Sequence, residues 1–145
     1  MVEFSHYPAR DGAGKNVKIT IASGPVIIEG GKVLLDKHGD SNYWKFPGGR
    51  QRDDNSFFDN AIREVKEELG IEIEIISAPF AVIVERVEND VKEYVVLIHY
   101  LAKRLTEIIK PGADIRQWAW HDVNNLPADC AENIRPAVEH FKFKN

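Results

Sequence analysis

Glu64, Glu67 and Glu68 are the residues whose type and spacing most directly imply chemistry. At about 100° per residue they fall within roughly one third of a helix circumference, with Asn60 beside them. Like charges at i, i+3 and i+4 repel one another, and these lie toward the end of a helix, where the macrodipole disfavours anions. Arg63 can reach Glu67, but neither it nor Lys66 breaks up the acidic triad. Taken alone, Glu-x-x-Glu-Glu is most simply a solvated acidic face. Converging on one point, three carboxylates suit a hard divalent cation such as Mg²⁺ or Mn²⁺.

The element that positions them is legible on both sides. Ser56, with Asp59 three residues on, is a capping-box type of start. Gly70 stands where a helix takes a left-handed residue after its last turn. Between them Phe58, Ala61, Ile62, Val65 and Leu69 recur at helical spacing and form an apolar stripe for a core. Ahead of the helix, Pro47-Gly48-Gly49 lets the backbone turn sharply and approach a ligand closely.

The whole stretch resembles the Nudix box, Gly-x5-Glu-x7-Arg-Glu-U-x-Glu-Glu-x-Gly-U, in which U is a bulky apolar residue. Gly49 opens it, and Arg63-Glu64-Val65-Lys66-Glu67-Glu68-Leu69-Gly70-Ile71 fills its second half without a departure. One position differs: Asn55 stands in place of the first box Glu, a residue that in the family mainly braces the Arg. Arg52 and Asp54 also stand where Glu and Gly are common. The resemblance implies an α/β fold, a Nudix-type α/β/α sandwich with a mixed β-sheet. It also implies metal-dependent hydrolysis of a pyrophosphate bond in a nucleoside diphosphate derivative.

The resemblance further implies the site. The Gly48 carbonyl, Glu64, Glu67 and Glu68 would hold Mg²⁺ or Mn²⁺, with Asp114 the candidate for a fourth carboxylate and Glu107 second. Glu64, or a carboxylate from a downstream loop, would take the proton of the attacking water, with Arg63 as the orienting cation and Glu67 beside it. Arg50 and Arg52 are candidates for contacts to substrate phosphates; solvated arginines are about as common at such positions. Tyr43 and Trp44 are candidates for stacking on a base, although Trp44 before Pro-Gly-Gly is more often core. The partner implied is a small-molecule nucleotide. The proline that marks ADP-ribose members is not at its place, where Arg86-Val87-Glu88 stands, and the tyrosine of dinucleoside polyphosphate members is not matched by Tyr94. Nucleoside triphosphates, sugar nucleotides and ADP-ribose stay open, as does a nucleotide-binding sensor of the same fold without turnover.

Composition sets the frame for this reading. The chain of 145 residues is 43% hydrophobic and 29% charged, which fits one domain, 1–145, with a core of its own. A net charge of −4 argues against a general polyanion surface, and so against nucleic acid. One cysteine, Cys130, excludes an internal disulfide and reads as a small buried hydrophobe. Neither a membrane span nor a signal peptide is recognisable, so the chain reads as cytoplasmic. The five histidines show no ligand spacing and receive no role.

In chain order, residues 1–16 are turn-rich and read as a loose arm or a segment that packs on a partner, a homodimer being one such arrangement. Strands are expected at Lys18–Ala22, Val26–Glu29, Val33–Asp36, Ile71–Ile76, Phe80–Glu88, Val91–Ala102 and Ile115–Asp122. Gly30-Gly31 and Asn89-Asp90 mark hairpin turns. Tyr94–Ile98 is apolar enough for a central strand covered on both faces, and Trp118 and Trp120 share one face of theirs. A last helix is expected from about Arg135 to Phe143, with Pro136 in its first turn and Val138 and Phe141 facing inward.

Overall fold

A computed structural model describes residues 6–10, 16–52 and 54–144. Its elements are β1 (His6–Arg10), β2 (Asn16–Glu29), β3 (Lys32–His38), β4 (Gly49–Arg50), α1 (Phe57–Leu69), β5 (Ile73–Ile75), β6 (Phe80–Glu88), β7 (Val91–Arg104), β8 (Ile115–Asp122) and α2 (Ile134–Phe141). The strands form one sheet with the path β5-β7-β2-β3-β8. β1 and β4 add to β2, and β6 adds to β7. The sheet is mixed, because β2 and β7 run parallel while the other pairs are antiparallel.

Side chains alternate across the strands, and the two faces bury two separate cores. On one face Val26, Ile28, Val33, Leu35 and Leu101 pack with Trp44, Phe46 and the α2 residues Ile134, Ala137, Val138 and Phe141. On the other, Ile27, Leu34 and Ala102 pack with Val65 and Leu69 of α1, Ile71 and Ile73. One helix thus covers each face, which is the expected α/β/α sandwich. Cys130 is half-buried against the α2-side core.

Two expected strands, Lys18–Ala22 and Val26–Glu29, are one continuous β2. Ser23-Gly24-Pro25 stays extended because it pairs in register with Ile98, His99 and Tyr100 of β7, and the sheet overrides the local breakers. His6–Arg10, inside the segment read as an arm, pairs antiparallel with Asn16–Thr20; the other residues of that segment before Asn16 lie outside the described residues. The hairpin turns stand where expected, with Asn89 and Asp90 at φ of 51° and 61°, the pair of positive angles that a two-residue turn of this hand needs. The last helix starts one residue earlier than expected and ends at Phe141, leaving Phe143 exposed. β7 lies inside the sheet, but Tyr94 and Val96–Ile98 are only half-buried, and of these Leu97 faces a cavity.

Candidate active site

Helix α1 begins as its sequence implies. The Asp59 N–H donates to Ser56 Oγ at 3.0 Å, and Gly70 closes the other end at φ 68°, its N–H donating to the Lys66 carbonyl. Ala61, Val65 and Leu69 are buried and Ile62 half-buried, whereas Phe58 stays largely exposed with its ring edge-on to Tyr100. The opposite face carries the glutamates.

Arg63 ties that face together. It donates to Glu64 Oε1 at 2.8 Å, to Glu67 Oε2 at 2.9 Å and to Asn60 Oδ1 at 2.5 Å. Asn60 is fully buried, and its amide donates to Ser23 Oγ at 2.8 Å and to the Gly49 carbonyl at 3.2 Å. Arg63 is thus braced from inside the helix by Asn60, while the Asn55 carbonyl accepts from Gln51 Nε2. Gly48 and Gly49 lie against the glutamates. The Gly48 N–H donates to Glu68 Oε2 at 3.2 Å, and the Glu64 carboxyl fills the space that a side chain at position 49 would need.

Glu68 is strongly perturbed. Burial first, then the neighbouring Asp36 and Glu64 carboxylates, push it up to about 10, against the pull of the Gly48 N–H. Among the described residues, it clusters with a carboxylate and an imidazole of β3. The three groups whose donor atoms all lie within 4.8 Å of one another are Asp36, His38 and Glu68. Glu64 and Glu67 are both held by Arg63. Asp36 extends the α1-facing side of β3 beyond Leu34, and His38 follows a shift of strand register after Lys37.

Across Gly48 and Gly49 lies a cavity of about 430 Å³. Its floor is the α2-side face of the parallel seam, from Lys18, Thr20 and Ala22 of β2 to Val95, Leu97 and His99 of β7. Lys45, Arg50 and Arg86 add positive charge, with Glu88 and Glu93 among the acidic lining residues. Burial lowers the Lys45 pKa, as does Arg86, while Asp36 and Glu68 oppose the shift. His99 is held at about 4 by burial, so its ring is neutral near pH 7; Nδ1 lies 3.2 Å from the Gly24 carbonyl and Nε2 3.0 Å from the Asn133 amide.

The two candidate arginines part company. Arg50 lines the cavity, but Arg52 turns toward α1, 3.8 Å from Glu67 Oε1. Asp114 is exposed on a loop pinned to the end of α1, where the Gly112 N–H donates to the Glu68 carbonyl at 2.8 Å. Its own carbonyl accepts from Gly39 N–H at 3.1 Å, and its carboxylate makes no bond to the box residues. Glu107 is exposed, and its carbonyl accepts from Arg104. Trp44 is core, Tyr43 is exposed, and Trp120 packs beside the α1-side core while Trp118, two residues earlier on the same face of β8, is more exposed. Asn60 was placed beside the glutamates by its helical spacing, whereas Asp36, His38, Lys45 and His99 had no signature of spacing. The one available signal was Asp36 itself, a carboxylate that ends the apolar run Val33-Leu34-Leu35.

A family model for the NUDIX domain matches residues 19–141. The chain belongs to the Nudix family of pyrophosphate hydrolases. Among solved structures it is similar to a MutT NUDIX hydrolase from Burkholderia pseudomallei, at 24% identity over 83% of this chain and 96% of that one, with a TM-score of 0.69. An ADP-ribose pyrophosphatase from Streptococcus suis gives 22% identity, 86% and 93% coverage and a TM-score of 0.61. An Ap4A hydrolase from C. elegans gives 20% identity, 85% and 95% coverage and a TM-score of 0.68. No curated protein matches the sequence. Among the described residues, no helix is long and apolar enough to cross a membrane.

Proposed function

We propose that the protein hydrolyses the phosphoric anhydride of a nucleoside diphosphate derivative, of the nucleoside triphosphate, sugar nucleotide or ADP-ribose type, with Mg²⁺ or Mn²⁺. The observation that carries this reading is the position of Gly48-Gly49, with the α1 carboxylates on one side and the cavity on the other. The donor set fits a hard cation: Glu64, Glu67, Glu68 and the Gly48 carbonyl all present oxygen. When bound, divalent ions offset the charge of the anhydride and lower the pKa of the attacking water.

The chain's own groups supply the rest. Lys45, Arg50 and Arg86 attract a phosphate-bearing ligand into an otherwise mixed cavity. Arg63 fixes the Glu64 and Glu67 carboxylates in place, and Glu64 is the group to accept a proton from water. Asp114 would have to swing inward to serve as a further ligand. Phosphate release from a panel of nucleotides with Mg²⁺, by the wild type and by Glu64→Gln, tests the reading. Turnover of one class that collapses in the variant is expected. Tight binding of a nucleotide with no turnover anywhere in the panel would overturn it in favour of a sensor.

A further inference from the structure

We propose that Asp36 and His38 form, with Glu68, a second divalent-cation site, one that takes a first-row transition ion such as Mn²⁺ beside the box carboxylates. The inference deepens the reaction proposed above and rests on it only in treating Glu68 as a metal ligand.

Asp36 is a fully buried carboxylate. Its Oδ1 lies 2.6 Å from His38 Nδ1, but its Oδ2 is buried with no hydrogen-bond partner. A buried carboxylate oxygen without a partner is expensive, and such atoms are satisfied in almost all proteins. Lys45 is close enough for its charge to act on both Asp36 and Glu68, yet it does not bond to Oδ2. What lies beside Asp36 instead is another carboxylate, Glu68, with the three donor groups inside 4.8 Å. Two carboxylates and an imidazole at that spacing either share a proton or hold a cation between them.

The spacing suits such an ion. Ligands at about 2.1 Å from a metal in octahedral geometry stand about 3.0–4.2 Å apart, so small side-chain rotations close the set. The imidazole nitrogen favours a transition ion over Mg²⁺. Three protein donors leave coordination positions open, and His38 also lines the cavity, so the ion would face the ligand's phosphate oxygens. The residues come from β3 and the last turn of α1, both anchored in the core, so the site needs no loop to order.

Pulsed EPR of Mn²⁺ bound to the nucleotide-free protein tests this. The wild type is expected to show ¹⁴N coupling from a coordinated imidazole. His38→Ala should remove that coupling and weaken Mn²⁺ binding at least tenfold; the ring is partly exposed, so its loss should not unfold the chain. Asp36→Asn should weaken binding similarly, and if that variant does not fold, His38→Ala decides alone. Glu64→Gln should leave the ¹⁴N coupling in place. Bound Mn²⁺ without nitrogen coupling, or unchanged affinity in His38→Ala, would overturn the proposal while leaving hydrolysis at the box carboxylates intact. Nitrogen coupling in a protein that turns over no nucleotide would support the site and count against the proposed reaction.

Discussion

The carboxyl group of Glu64 occupies the place of a side chain on Gly49: a Cβ there would stand 2.6 Å from Glu64 Cδ and 2.7 Å from each of its oxygens. The glycine that opens the family's box is therefore a packing requirement of the glutamate fifteen residues on. Because the obstructing atoms are the end of a flexible side chain, Gly49→Ala should displace Glu64 at little cost in stability. The expected result is a melting temperature within a few degrees of wild type, with kcat reduced on the order of 10²-fold or more. A variant that melts normally and turns over normally would remove Glu64 from the reaction.

Direct removal should act more strongly. Glu64→Gln and Glu68→Gln are expected to keep the fold and lower kcat by on the order of 10²–10⁴, measured at saturating Mg²⁺. Near-wild-type rates in both would make this face of α1 an ordinary acidic surface.

Asn60 carries a role that the family assigns to another position. Asn60→Ala would strip partners from Ser23, the Gly49 carbonyl and Arg63 at a buried place, and should cost about 1–3 kcal/mol in urea unfolding. Asn55→Glu, by contrast, should change stability by less than about 1 kcal/mol and leave substrate preference as it is. A large effect at Asn55 with none at Asn60 would reverse this assignment.

The protonation of Glu68 gives the metal-free protein a pH signature. Its folded pKa, near 10, lies above the ordinary carboxylate value, so the folded state holds a proton that the unfolded chain has released. Its contribution is therefore full below about pH 4.5 and is lost as pH rises toward 10. Melting temperatures of the metal-free protein from pH 6 to 9 should fall through this term, and Glu68→Gln should flatten the slope. A steeper fall in the variant would place the titration elsewhere.

Divalent ions should act on the same region. An ion that binds only the folded chain adds about 2.7 kcal/mol at a hundredfold excess over Kd, so Mg²⁺ or Mn²⁺ should raise the melting temperature by several degrees. Na⁺ at matched ionic strength should not, and a non-hydrolysable nucleotide should enlarge the shift. Curves indifferent to all three would argue against any metal site here.

How much of this could be read beforehand divides by range. Helix α1 carries its own instructions: the Ser56 cap, the apolar stripe and Gly70 are local, and local signals survive folding. The glutamates were identifiable because the box is a contiguous pattern. Asp36, His38 and His99 were not, because they meet Glu68 of α1 and Asn133 before α2 through packing between distant elements that no spacing records. Arg52 illustrates the limit at close range. Two residues from Arg50, it turns toward α1 while its neighbour faces the cavity, and only the packed structure distinguishes them.

The parallel seam between β2 and β7 has a consequence for how the chain folds. It joins Val17–Ile27 to Lys92–Ala102, so the cavity floor is assembled from segments that must first close about half of the chain into a loop. The β6–β7 hairpin and α1 can form from local contacts, but the seam cannot nucleate that way, and topologies dominated by such pairings fold on the scale of roughly milliseconds to seconds. The cavity is thus expected to be a late feature of the folding route. During synthesis the box helix leaves the ribosome well before β7 does, so the acidic face exists for a time without the floor it serves. In a refolding experiment, nucleotide binding should recover after helical signal, in step with the β2–β7 pairing rather than with α1.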